Sequence, residues 1–229
     1  MRGLSILKIE THGRSPRWLD ETFHSLYGSD AVVLAKMWHD VCQVNRMTKK
    51  EKSKHGLKFF LMAHFYLWNY PRNNRQFAVQ FDVCDEYARG KHLWDWIARI
   101  VALKDKKIKW SGNLDAENTA TFILSVDGVD FQVWEKKHPQ VNKDPAQCSK
   151  KFNKAALKYE LGIAIFEPRL VWINGPFRGG KHDIAIFHSE GGLKERVKPF
   201  KKVIADRGYQ SNFADEKMLS LPNVFAAKP

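Results

Sequence analysis

The stretch Thr119-Ala120-Thr121-Phe122-Ile123-Leu124-Ser125-Val126-Asp127-Gly128-Val129-Asp130-Phe131-Gln132-Val133-Trp134 breaks a pattern that is helical up to that point. Thr119 to Val126 is a short β-branched and apolar run. From Val129 to Trp134, apolar side chains alternate with Asp130 and Gln132, the period of a half-buried strand. Asp-Gly between two such runs signals a hairpin, so two strands joined at Asp127-Gly128 are expected.

Working outward toward the C-terminus, Glu135 to Asn153 is polar, basic and interrupted by Pro139 and Pro145, the composition of a loop. Leu157 to Phe166 and Leu170 to Ile173 are the next strands, turned at Glu167-Pro168-Arg169. A Gly-rich loop, Asn174 to Lys181, leads to a helix from Asp183 to about Lys198, broken near Gly191-Gly192. Val203 to Ala205 closes the series as a short strand. Four strands, a helix and a strand point to an α/β or α+β sheet domain.

Toward the N-terminus, helical spacing dominates. Phe23, Leu26 and Tyr27, then Val33, Leu34, Met37, Trp38 and Val41, recur at the helical period, with Gly28-Ser29-Asp30 as a break and cap. Asn45 to Lys54 is a polar loop, and Leu57 to Trp68 is apolar on nearly all sides, the mark of a buried helix. Asn73 to Phe81 reads as a short helix, and Asp82 to Asp85 as a turn. A longer helix follows to about Leu103, with Tyr87, Trp94, Ile97, Ala98 and Val101 on its apolar face. This outline over residues 54–104 is that of a helix-turn-helix, although on spacing alone an ordinary helical hairpin is the favoured reading. Two domains are therefore expected, helical over residues 1–110 and sheet-based over residues 111–229.

The composition narrows the function. Hydrophobic residues at 44% exclude a disordered chain. No apolar run reaches the roughly 18 residues that span a bilayer, and the N-terminus lacks a signal-peptide pattern, so an intracellular protein with no membrane partner is expected. Cys42, Cys84 and Cys148 lack zinc-ligand spacing and are expected as buried free thiols. The net charge of +13 favours a polyanionic partner, DNA above all, and no small-molecule substrate. Glu135 to Lys158 concentrates that charge, with seven Lys against one Glu and one Asp. Lys136, Lys137, Lys150, Lys151, Lys154, Arg178 and Lys181, with Arg89 and Lys91 of the helical half, are the candidate DNA contacts. Phosphate contacts of this kind predict affinity that falls steeply with salt.

Two carboxylates carry the candidate chemistry. Asp127 and Asp206 each follow a short apolar strand and precede a glycine within two residues. Adjacent strands can bring such a pair together, and paired carboxylates attract Mg²⁺ or Mn²⁺. Taken singly, Asp127 suits a turn, Asp206 a cap over Arg207-Gly208-Tyr209, and Asp183 a first-turn helix acid.

Four strings in order, Val126-Asp127-Gly128, Lys150-Lys151, Gly175-Pro176-Phe177-Arg178-Gly179-Gly180-Lys181-His182-Asp183 and Ala205-Asp206-Arg207-Gly208-Tyr209, resemble the DDE superfamily endonuclease domain of PIF/Harbinger-type transposases. The family motifs run D-G-T, a Lys-rich K-K-x-H-like stretch, P-G-S-x-H-D and D-x-G-Y on an RNase H-like fold. The resemblance covers roughly residues 119–212 and extends more loosely to the helical region ending at Lys107-Ile108-Lys109-Trp110. It implies an RNase H-like mixed sheet, incomplete at its C-terminus, with Asp127 and Asp206 as catalytic acids. It also implies a divalent metal held by Asp127, Asp183 and Asp206, a nuclear location in a eukaryote, and a homo-oligomer or accessory DNA-binding protein as further partner.

Three departures qualify it. Gly128 is followed by Val129 rather than Thr, the P-G-S turn is longer, and Lys150-Lys151-Phe152-Asn153 carries no His. The family's last acid, a Glu on a later helix, has no clear counterpart, since Asp215 and Glu216 follow Asp206 too soon. Two readings result: a metal-dependent DNA strand-cleaving and strand-joining enzyme, and a transposase relic that keeps DNA or protein binding without cleavage. A basic scaffold for another protein is the weakest reading.

Overall fold

The computed structural model of the chain describes residues 2–69, 71, 73–86, 90–117, 121–133, 144–210 and 218–221. The expectations for Arg89, Lys136, Lys137, Asp215 and Glu216 lie outside them, as do Tyr87, Thr119 and Trp134. The chain divides into two compact units, Met1–Lys107 and Ile108–Pro229, slightly ahead of the boundary expected from sequence. A helical region is followed by a six-stranded mixed sheet with short helices.

In the first unit, the helices are α1 (Arg2–Ile6), α2 (Pro16–Tyr27), α3 (Ala31–Val44), α4 (Lys54–Asn69), α5 (Asn74–Gln80), α6 (Lys91–Val101) and α7 (Lys104–Lys107). Local chemistry fixes the ends of α2. Ser15 Oγ accepts from Trp18 N, Pro16 occupies the first turn, and Gly28 closes the helix in the left-handed conformation. α4 is buried around much of its circumference through Phe59, Phe60, Leu61, Met62, Ala63 and Phe65, as its apolar sequence requires. The Asp40 carboxylate bonds Lys106 and Lys107, tying α3 to α7. Those two ammonium groups hold its pKa down at about 2.

Two helical expectations are corrected. The helix expected from the Asp82–Asp85 turn to about Leu103 is not continuous: Asp85 and Glu86 are helical, Gly90 is extended, and α6 spans Lys91–Val101. Its buried face is Leu93, Trp96 and Ile97, while Trp94 and Val101 are exposed. The i, i+3, i+4 set around Leu93 captures the core, and Trp94 meets Tyr66 edge-on instead. The cysteines are free, but only Cys42 is buried; Cys84 is exposed.

The second unit holds α8 (Gly112–Asp115), β1 (Phe122–Gln132), β2 (Cys148–Ser149), β3 (Lys154–Ala164), β4 (Leu170–Arg178), α9 (Asp183–Phe187), α10 (Leu193–Arg196), β5 (Lys202–Ala205), a 3₁₀ turn (Arg207–Tyr209) and β6 (Leu219–Ser220). β3 lies between β1 and β4, antiparallel to both, and β2 adds to its start. On the other side of β1 run β5 and β6, parallel. One face packs its core of Leu124, Val126, Ala164, Val203 and Ala205 against Phe187, Leu193 and Tyr209.

The hairpin at Asp127-Gly128 does not form. β1 runs straight through it, with Asp127 opposite Leu161 and Gly128 opposite Glu160. The Gly-rich loop is also shorter than expected, because Asn174 to Arg178 belongs to β4. Glycine at 128 answers a close approach rather than a turn. A Cβ there would stand 2.2 Å from Asp183 Oδ1. Gly128→Ala should therefore lower the unfolding midpoint by the equivalent of about 1–3 kcal/mol, the usual cost of overpacking. Gly112→Ala, where a Cβ meets nothing within 4 Å, should be neutral or slightly stabilising. Equal midpoints for the two variants in thermal denaturation would contradict this.

Candidate active site

β5 ends at Ala205, the register partner of Val126, while β1 continues to Gln132. Asp127 and Asp206 are thus the next residues on two adjacent parallel strands. Burial gives their direction. Ser125 and its partner Ile204 are exposed, Val126 and Ala205 are buried, and Asp127 and Asp206 are exposed again. Asp127 therefore lies on the open face of β1, and Asp206 lies just past the last residue pair of the two strands.

Each carboxylate is oriented by its own backbone. Asp127 Oδ1 accepts from Gly128 N at 2.7 Å, and Asp206 Oδ1 accepts from Gly208 N at 2.8 Å, capping the 3₁₀ turn. Among the described residues, neither Asp127 nor Asp206 forms an ion pair with Lys, Arg or His. Each carboxylate has a second oxygen beyond the one held by its own backbone.

Asp183 is placed differently. It occupies the first turn of α9 after the His182 cap and reaches the sheet from its covered face. One oxygen lies over Gly128. The other lies 2.6 Å from where a Cβ on Gly208 would be, a point also 3.0 Å from Asp206 Oδ1. The glycines of both Asp-Gly strings therefore make room for this single carboxylate. Its charge is met by Lys158 of β3, whose Nζ stands 3.0 Å from Asp183 Oδ1. Among the described residues no three His, Cys, Asp or Glu side chains gather closely enough to hold a metal ion. Asp183 is paired with Lys158, and its second oxygen lies beside Gly208 with Asp206 Oδ1.

Lys158 is one of several functional residues that the sequence left unmarked. Only 8% exposed, it also lies 3.7 Å from Asp130 Oδ1, whose other oxygen accepts from the Ser149 hydroxyl. Glu160, fully buried two residues on, accepts from Trp172 Nε1 at 2.9 Å. Burial, with the Asp183 charge adding to it, pushes the Glu160 carboxyl up to about 7. Tyr209 faces the same interior. Burial raises its hydroxyl pKa, and the charges of Glu160, Asp183, Asp127 and Asp206 raise it further. Tyr209 Oη and Glu160 Oε1 are close enough to influence one another, yet neither has a well-formed hydrogen bond.

Two basic candidates of this unit lie beside the acid-bearing strings. Lys151 Nζ donates to Gly128 O at 3.2 Å, and Lys150 Nζ lies 3.2 Å from His182 Nε2. The Lys-rich string and the His-Asp string of the sequence are thereby brought together. Lys154 opens β3, Arg178 is its neighbour at the end of β4, and Lys181 lies over the Phe177 ring. Arg178 is partly engaged by Asp144 at 3.8 Å. Lys91 belongs to the helical unit and pairs with Asp95 along α6. Compared with protein families, with curated proteins and with solved structures, the chain matches none.

The raised carboxyl of Glu160 has a measurable consequence. Its folded pKa lies above the ordinary carboxylate value of 4.5, so the native state favours the protonated form. The contribution of Glu160 is intact below about pH 4.5 and is lost as pH rises through about 7. Glu160→Gln keeps an acceptor for Trp172 without the charge. It should stabilise the protein on the order of 3 kcal/mol at pH 8.5 and hardly at all at pH 4.5, read from urea midpoints. A gain of equal size at both pH values would show that ionisation of Glu160 plays no part.

Proposed function

We propose that this chain is a DNA-directed protein of DDE-transposase descent whose sheet unit sets one divalent-cation position beside a phosphate-gripping basic rim. The observation that carries the reading is that β5 ends in register with Val126, which leaves Asp127 and Asp206 as the next residues, both exposed and, among the described residues, in no ion pair. Oxygen ligands of this kind suit Mg²⁺ or Mn²⁺, which retain several waters and need only one or two carboxylates. The residues therefore fit one ion. Bound there, such an ion supplies Lewis acidity and an activated water for phosphodiester cleavage.

What the chain itself does is more limited. Asp127 and Asp206 are held in place by the N–H groups of Gly128 and Gly208. Lys150, beside His182, and Lys151, on Gly128 O, present exposed ammonium groups near Asp127, and Lys154 lies farther along at the start of β3; together they neutralise backbone phosphates and bring a strand toward the acids. Asp183, the third acid implied by the resemblance, is neutralised by Lys158 and adds no open oxygen pair. That observation favours the relic reading over the full enzyme: strong DNA binding, with cleavage weak or absent. A nuclear location and a self-associated or accessory-protein assembly remain part of the proposal by descent.

The test uses the full chain on fluorescent duplex DNA. Affinity should fall at least about tenfold between 50 and 200 mM salt, as counterion release requires. The triple variant K150A/K151A/K154A should bind at least tenfold more weakly at low salt. With Mn²⁺, nicking of supercoiled DNA should stay near the level of the Asp127→Ala control. Salt-independent binding, or binding unchanged in the triple variant, would contradict the DNA reading. Robust nicking that vanishes in Asp127→Ala would restore the active enzyme.

A further inference from the structure

The interior carboxylates beneath the proposed cation position are held by a charge that the chain supplies itself. Lys158 enters from the covered face of β3, opposite Asp130 in the β1–β3 ladder. Its ammonium lies 3.0 Å from Asp183 Oδ1 and 3.7 Å from Asp130 Oδ1. The side chain of Asp130 is 1% exposed and that of Asp183 is 18% exposed. Asp130 Oδ1, Glu160 Oε1 and Tyr209 Oη are buried without a hydrogen-bond partner of good geometry, so the pocket holds more acceptor capacity than Lys158 alone satisfies. A buried and a half-buried acid on one lysine need its charge, because leaving the buried one uncompensated is strongly destabilising. The separations are those of an ammonium. A bound divalent ion would draw oxygens to roughly 2.0–2.6 Å, which the Lys158 stem prevents.

We propose that Lys158 is a built-in counter-cation that fills the inner Asp130–Asp183 pocket, confines divalent ions to the outer Asp127–Asp206 pair, and closes what is otherwise a second divalent-cation site. This rests on the outer pair binding one ion, as proposed above, and adds the stoichiometry and the residue that sets it. Lys158 is a positioning residue for Asp183 and touches no substrate. Its removal leaves the Asp130 and Asp183 carboxylates without their shared ammonium, with the Ser149 hydroxyl on Asp130.

The experiment is calorimetric titration of the full chain with MnCl₂, with thermal unfolding as a second readout. The wild type should bind one ion, lost in D127N and kept in D183N. K158A should bind two, the second lost in K158A/D183N, and Mn²⁺ should raise its melting temperature more than that of the wild type. K158A that stays at one ion, or a wild-type ion lost in D183N, would overturn the proposal. Should K158A not fold, D183N in the wild-type background decides. It strips Lys158 of its nearer partner and should lower the melting temperature on the order of 10 °C, whereas an unchanged melting temperature overturns the counter-cation role. If the wild type binds no ion but K158A binds one that D183N removes, the outer-pair reading fails and the inference about Lys158 stands.

Discussion

The seating of one carboxylate organises the sheet unit. Asp183 lies over Gly128 on β1 and beside Gly208 after β5, and its charge is met by Lys158 on β3. The middles of β1 and β3 and the turn after β5 are thereby tied to the first turn of α9. The two glycines are not loop residues in this arrangement; they are clearances, since any side chain at either place would meet Asp183 oxygen. Asp127 and Asp206, which among the described residues form no ion pair, lie at the same junction as the Asp183–Lys158 pair, with Asp183 and Asp206 both beside Gly208.

Much of this was legible in the residues. The switch from helical to alternating periodicity near Thr119, the strand pair after Lys154 and the short strand before Asp206 all follow from the positions of apolar side chains. The break at Gly28 was readable from local capping chemistry. The adjacency of Asp127 and Asp206 followed from their shared place after apolar strands, though not the register that makes them neighbours.

What was not legible has a common cause. Asp-Gly within an alternating run carries the same signal for a hairpin and for a strand crossed closely by another group, and only tertiary structure decides between them. Leu157-Lys158-Tyr159-Glu160-Leu161 reads as a strand with its charged residues turned to water. In the fold Lys158 and Glu160 are buried, while Leu157 is exposed and Tyr159 and Leu161 are half-buried. Such an inversion is expected where a polar cluster is built into the covered face of a sheet, and it locates the residues on which the unit's electrostatics depend. The same inversion leaves Phe131, Leu157, Ile163 and Ile204 on the open face, beside the outer acids.

The central claim is that Asp127 and Asp206 form one cation position at the end of β5. Anomalous diffraction from a crystal soaked in Mn²⁺ tests it most directly. The account predicts a single strong peak within coordination distance, roughly 2.0–2.3 Å, of one oxygen from each of Asp127 and Asp206, with Lys158 still beside Asp183. A peak seated between Asp130 and Asp183, or none at the end of β5 at saturating Mn²⁺, would contradict it.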